Sequence, residues 1–215
     1  MEVMASDPLA AGTKEDAIAP SAAPQKRDSS TSDACSRILE AAAHLFRRDG
    51  FSRTSMDAIA ALARMSKRTL YANFPDKRAV LQAVLEQFIA GRFAMIERIG
   101  RTAGNNEAIL TSMVGSLNAM ATDEDALTMY RLLLAEAANL STLVLAAHRN
   151  SLAQAEALLR QPLLNCGVRD PDMAARVLYD LAVLAPMHRR LVGSGNLHMD
   201  AAAMTRMVLQ GMKGM

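Results

Sequence analysis

Hydroxyls, an amide and cations gather in one stretch of the chain, TSMDAIAALARMSKRTLYANFPDK, residues 54–77. The groups that could act there are Thr54, Ser55, Arg64, Ser66, Lys67, Arg68, Thr69, Tyr71, Asn73 and Lys77. Their chemistry is recognition, with no bond made or broken. Lysine and arginine reach phosphates or guanine edges, threonine meets a base or a thymine methyl, and tyrosine and asparagine hydrogen-bond phosphates. Lys77 is expected at a helix start, where backbone N–H groups and its ammonium can hold a phosphate together.

Placing these groups takes two short helices and a tight turn. Met56, Ile59, Ala60 and Ala63 recur at spacings of three and four and predict a helix capped by Thr54 or Ser55, whose start can also face a phosphate. Arg64-Met65 forms the turn, and Ser66 caps the second helix, KRTLYANF. Leu70 and Phe74 face inward, which turns Lys67, Arg68, Thr69, Tyr71 and Asn73 outward or to the flanks. This is a helix-turn-helix pattern, in which the second helix enters the DNA major groove. Pro75 ends that helix, Asp76 caps the next, and a broad apolar face from Val80 to Ile96 carries the next helix over about 77–100. Upstream, Ile38, Ala42, Leu45 and Phe46 predict a first helix from Asp33, capped by Ser32 or Asp33 and closed at Gly50.

Composition sets the wider frame. In 215 residues, 51% are hydrophobic, only 4% are aromatic and there is no tryptophan. Helix formers dominate and strand formers are sparse, so the fold is expected to be all-α. Net charge is +2, yet residues 33–80 hold nine basic against five acidic side chains, a local +4 that leaves the remainder at −2. The positive field sits on the helix-turn-helix. Cys35 and Cys166 lack any CxxC or metal-ligand neighbour and are expected to be reduced and structural. No signal-peptide pattern or uncharged apolar run of about 18 residues is present, which predicts a cytoplasmic protein without a membrane partner.

The stretches ILEAAAHLFRRDGFSRTSMDAIAALA and SKRTLYANFPDKRAVLQAVLEQF resemble the DNA-binding domain of the TetR family of transcriptional regulators over residues 34 to about 90. The chain departs from the family at Arg64-Met65, where Gly-Val is usual. An arginine at a left-handed turn costs roughly 1 kcal/mol relative to glycine and can add a phosphate contact. The resemblance implies an N-terminal three-helix DNA-binding domain and a C-terminal helical ligand-binding and dimerisation domain. The partners it implies are double-stranded DNA, a second copy of the chain and a small-molecule effector. It implies a repressor on a palindromic operator. The alternatives are a helical protein-interaction module or an effector-independent DNA-binding protein.

Boundaries follow from these elements. Residues 1–32 read as a disordered tail in which Lys26 and Arg27 could touch DNA, residues 33–80 as the head, and residues 101–215 as the body. Helices are expected over about 107–121, 129–140, 142–164 and 171–193, with Pro186 bending the last of these, and a final helix after Asp200. Val177, Leu178, Leu181, Leu184, Met187, Leu191, Met204, Met207, Val208 and Met212 could form the seam to a second subunit or an internal core. Past Gly100 there is no nucleophile elbow, phosphate loop, HExxH or paired carboxylates. His44, His148, His188 and His198 are scattered, so neither an enzyme nor a cofactor or metal is expected.

Overall fold

The computed structural model describes residues 25–102, 104–193 and 199–212, with side chains from Ser32 onward. Residues 1–24 and His198 lie outside this set, as do the side chains of Lys26 and Arg27. Ten α-helices and no strand occur among the described residues. The first four are α1 (Gln25–Asp49), α2 (Met56–Ala63), α3 (Lys67–Asn73) and α4 (Lys77–Gly100). Then come α5 (Asn106–Thr122), α6 (Glu124–Ala135), α7 (Ser141–Asn165), α8 (Pro171–Tyr179), α9 (Ala185–Val192) and α10 (Ala201–Met212).

Helix α1 begins eight residues before the expected Asp33, inside the stretch read as a tail. Nothing between Gln25 and Asp49 is a glycine or proline, so no residue there stops the helix once its apolar face is docked. Ser32 and Asp33 therefore lie within the helix and do not cap it.

Two apolar cores organise the molecule. Ile38, Phe46, Ile59, Leu70 and Phe74 close the head core expected from the sequence. Val80, Leu81, Val84 and Leu85 of α4 join it, and so do Met129, Leu132 and Leu140 from α6 and the α6–α7 corner. The second core gathers Phe93 and Ile96 of α4 with α5, α7, α8 and α10. Helix α4 thus belongs to both. It is long and apolar enough to cross a membrane by length and composition alone, but its buried residues are spent on these cores.

At Pro186 the helix expected over 171–193 is divided. Helices α8 and α9 are joined by a π-helical segment, Asp180–Leu184, which ends two residues before that proline. Proline supplies no N–H, so the carbonyl of Ala182, four residues earlier, loses its helical donor. The side-chain amide of Asn118 on α5 donates to that carbonyl instead, at 3.1 Å. Of the residues offered for an intersubunit seam, Leu178, Met204 and Val208 are fully enclosed in the chain's own core, and Met207 is half exposed.

Candidate nucleic-acid interface and effector cavity

Local chemistry builds the head. Ser55 caps α2 by accepting from the Ala58 N–H at 3.1 Å, and Ser66 caps α3 by accepting from the Thr69 N–H at 3.0 Å. Between them Arg64 takes the left-handed conformation, φ 54° and ψ 46°. The Arg64 N–H bonds the Ala61 carbonyl at 3.1 Å and the Met65 N–H bonds the Ala60 carbonyl at 2.9 Å. These two bonds are a Schellman closure, normally made with glycine at the left-handed position. Phe74 is extended, as the residue before Pro75 must be.

On α3 the exposed face is Lys67, Arg68 and Tyr71, with Thr69 and Asn73 at its flanks half-buried. Tyr71 is 51% exposed, which is far more than a core aromatic and leaves its hydroxyl accessible. Lys67 reaches across to Asp57 of α2 at 2.7 Å. The hydrogen bond that Lys67 donates to Asp57, and then the Asp57 charge, hold the Lys67 ammonium above the ordinary lysine pKa. Both partners are largely exposed, so the pair is weak and exchangeable for a phosphate. The Thr69 hydroxyl pairs with that of Ser66 at 2.8 Å, and the Asn73 amide donates to the Thr69 carbonyl at 2.8 Å.

Two of the expected contact residues are placed differently. Thr54 is buried, and its hydroxyl donates to the Gly50 carbonyl at 2.8 Å. It ties the α1–α2 loop and presents nothing to a phosphate; the helix cap is Ser55. Lys77 turns inward as well. Its ammonium donates to the carbonyls of Phe51 and Thr54 at 2.7 Å each and of Ser52 at 3.3 Å, and lies 4.4 Å from the centre of the Phe51 ring. Partial burial draws its pKa below the ordinary lysine value, against the opposing charge of Glu136. The carbonyls outcompete a solvent-side position because they offer three acceptors to three ammonium hydrogens. Lys77 is a strap across the loop.

The other head cations are engaged too. Arg37 donates to the Ala63 carbonyl at 2.8 Å, Arg48 pairs with Asp49, Arg53 bonds the Asp49 carbonyl, Arg47 faces Asp125, and Arg78 donates to the Asn139 carbonyl at 2.7 Å. Among the described residues, Arg64 and Arg68 are the head cations with no such partner. They flank the start of α3, where a groove-reading helix first meets its target.

The model for bacterial regulatory proteins of the tetR family matches residues 38–84, from the core of α1 to α4. The chain is 42% identical over 73 residues to the uncharacterized HTH-type transcriptional regulator YvaF of Bacillus subtilis, covering 34% of this chain and 36% of that protein. It is 41% identical over 49 residues to the DNA-binding transcriptional repressor TetR of Mycobacteroides abscessus, covering 23% and 26%. The match thus spans about a third or less of these relatives' own length. A solved structure assigned to the family, from Mesorhizobium loti, extends the likeness to the body. It has TM-score 0.66 and 26% identity over 84% of this chain and 95% of that one. The head thus matches the TetR-family DNA-binding domain, and the chain as a whole has a TetR-like fold. The departure at Arg64 is therefore a variation on a TetR turn that keeps its left-handed geometry without glycine.

The TetR-type body holds a partly open cavity of about 130 Å³ between α4, α5, α6, α7 and the α8–α9 segment. Its wall is apolar apart from Arg92, Tyr130, His148, Ser151 and Tyr179. The Tyr179 hydroxyl donates to Ser151 at 2.9 Å, and the His148 ring lies 6.0 Å from the Tyr179 ring. Burial pushes the Tyr179 phenol above its ordinary pKa, and the hydrogen bond to Ser151 opposes this only in part. Arg92 stacks over Phe88 at 4.2 Å and binds Asp123 and the Met120 carbonyl. None of these residues stood out in the sequence, where His148 reads as structural or surface. They come from helices far apart in the chain, and the fold alone brings them together.

Proposed function

We propose that the protein is a cytoplasmic, homodimeric repressor that binds a palindromic operator through α3 and releases it when a small molecule enters the body cavity. The carrying observation is the pair of uncommitted arginines, Arg64 and Arg68, beside exposed Tyr71 at the entry to α3. A cation with no intramolecular partner has nothing to give up when it meets a phosphate or a guanine edge. The repressor of Mycobacteroides abscessus, similar over the head, supports repression as the direction of control. Dimerisation is supported by large apolar side chains left exposed on three C-terminal helices: Met173 on α8, Val192 on α9 and Met207 on α10.

Coupling follows from shared residues. Leu85 of α4 and Met129 of α6 line the cavity and also belong to the head core. A ligand pressing on either moves a side chain packed under α1 to α3. Polar ties carry the same motion: Ser52 donates to Glu136 at 2.5 Å, and Arg78 to the Asn139 carbonyl. Two recognition helices must meet successive grooves about 34–36 Å apart, so a small rotation of the heads loses one set of contacts.

The test is selection of binding sites from a random DNA pool, followed by titration over a salt series. A palindromic site should emerge, and Arg68→Ala and Arg64→Ala should each lower the salt slope by about 1. Recovery of no discrete site at moderate salt would refute specific regulation and favour a protein-interaction role. A site whose occupancy no small molecule alters would identify an effector-independent DNA-binding protein.

A further inference from the structure

Resting on the reading of the cavity as an effector site, we infer that the effector is an uncharged, mainly apolar molecule of about one substituted ring. A single hydrogen-bonding group on it meets His148 and Ser151. Size comes first. A cavity of about 130 Å³ is close to the roughly 150 Å³ apolar cavity that accommodates benzene. The wall is aliphatic, aromatic and methionine-rich over most of its surface, with Phe88, Phe93, Met120, Met129 and Met187 contributing. Methionine walls adjust to rings of differing outline.

Charge is decided by what the wall lacks and by what is already engaged. No aspartate or glutamate lines the cavity. A ligand cation would have only neutral acceptors and aromatic faces to rest on, and the Phe88 face is already covered by Arg92. Arg92 is the lining arginine that an anion would seek, and it is committed. One Nη donates to the Met120 carbonyl at 2.7 Å and to Asp123, and the other donates to Asp123 at 2.9 Å. Drawing Arg92 away would strand Asp123, which also caps α6 through the Ala126 N–H at 2.7 Å. A charge drawn from water against this apolar wall finds no uncommitted opposite charge, so ions of either sign bind more weakly than a neutral molecule.

Polarity is concentrated at one corner. His148 and Ser151 stand three residues apart on α7, on the same helical face, opposite Tyr179. The Tyr179 hydrogen is given to Ser151, so the Ser151 O–H remains to donate. Among the described residues the His148 imidazole has no hydrogen-bond partner. A neutral imidazole accepts at one nitrogen and donates at the other, so together the two residues can bind a phenol hydroxyl, which both gives and takes a hydrogen.

The experiment uses the full chain, isothermal titration calorimetry near pH 7, and four probes of similar shape: 4-ethylphenol, ethylbenzene, 4-ethylbenzoate and 4-ethylbenzylammonium. The phenol should bind about 5- to 10-fold more tightly than the hydrocarbon, as a net buried hydrogen bond implies, and both ions should bind at least about tenfold more weakly than the phenol. His148→Phe keeps an aromatic ring and should erase the phenol preference while leaving ethylbenzene within about twofold. Should that variant fail to fold, Ser151→Ala gives the same comparison. The inference is overturned if either ion binds as tightly as the phenol, if phenol and hydrocarbon bind alike, or if neither neutral probe binds. Operator release is measured in parallel. Binding of the neutral probes without release supports the ligand class and refutes the effector role.

Discussion

Replacing Lys77 with methionine separates two roles that a lysine at a helix start can play. In the structure its ammonium makes two carbonyl bonds of 2.7 Å, a longer one of 3.3 Å and a contact with the Phe51 ring. Hydrogen bonds from a charged group contribute about 1.5–3 kcal/mol each. Methionine keeps much of the apolar stem, and water can hydrate part of the freed loop, because Ser52 is exposed. The two short bonds, discounted for that hydration, leave a loss of about 2–3 kcal/mol. For a chain of this size that lowers the melting temperature by roughly 4–12 °C. Thermal unfolding by circular dichroism measures it. Operator affinity titrated from about 50 to 200 mM salt supplies the second reading: a strap leaves the slope of log K against log salt unchanged, whereas a lost phosphate contact lowers it by about 0.9. An unaltered melting temperature with a lowered slope would refute the strap.

Three further outcomes follow from other parts of the molecule. Arg64→Gly removes a left-handed arginine and should stabilise the head by up to about 1 kcal/mol while weakening operator binding, a divergence that melting and DNA titration together detect. Asn118→Leu leaves the Ala182 carbonyl without its donor and should cost about 1–3 kcal/mol, read by denaturant unfolding; an unchanged midpoint would mean that Pro186 needs no such support. At Asp123, partial burial favours the neutral acid, but hydrogen bonds from Arg92 and the Ala126 N–H outweigh it and lower the pKa below 3.8. The stability from this lowered acid is present above its unfolded pKa and is lost as pH falls through the folded value. The gap between wild type and Asp123→Asn should therefore be full at neutral pH and shrink below about pH 3.8; a gap independent of pH would exclude ionisation as its source.

What the chain reveals by itself divides along the range of the forces involved. Ser66 and Asp76 were legible as caps, and Ser55 as one of two candidates with Thr54, because a cap is a contract between a hydroxyl or carboxylate and an N–H three residues on. The turn at Arg64-Met65 was legible from the spacing of the two helices, and its left-handed conformation from the resemblance to a family that usually carries glycine there. Lys77 was not. Its acceptors are backbone carbonyls 23 to 26 residues away, and every residue carries one, so nothing in a side-chain pattern marks those that converge. The cavity was hidden by a similar degeneracy. Phe88 and Ile89 continue the apolar face of α4 without a break, yet these two line a void while Val84, one turn earlier, is sealed in the head core. Periodicity reports that a face avoids water, and it carries no information on whether another side chain or a ligand covers that face. The same limit applies to the cations. A positive head is evident from composition, but which of its charges is free to meet DNA depends on carboxylates and carbonyls supplied by the fold. Among the described residues those acceptors engage the other head arginines together with Lys67 and Lys77, leaving Arg64 and Arg68 at the mouth of α3.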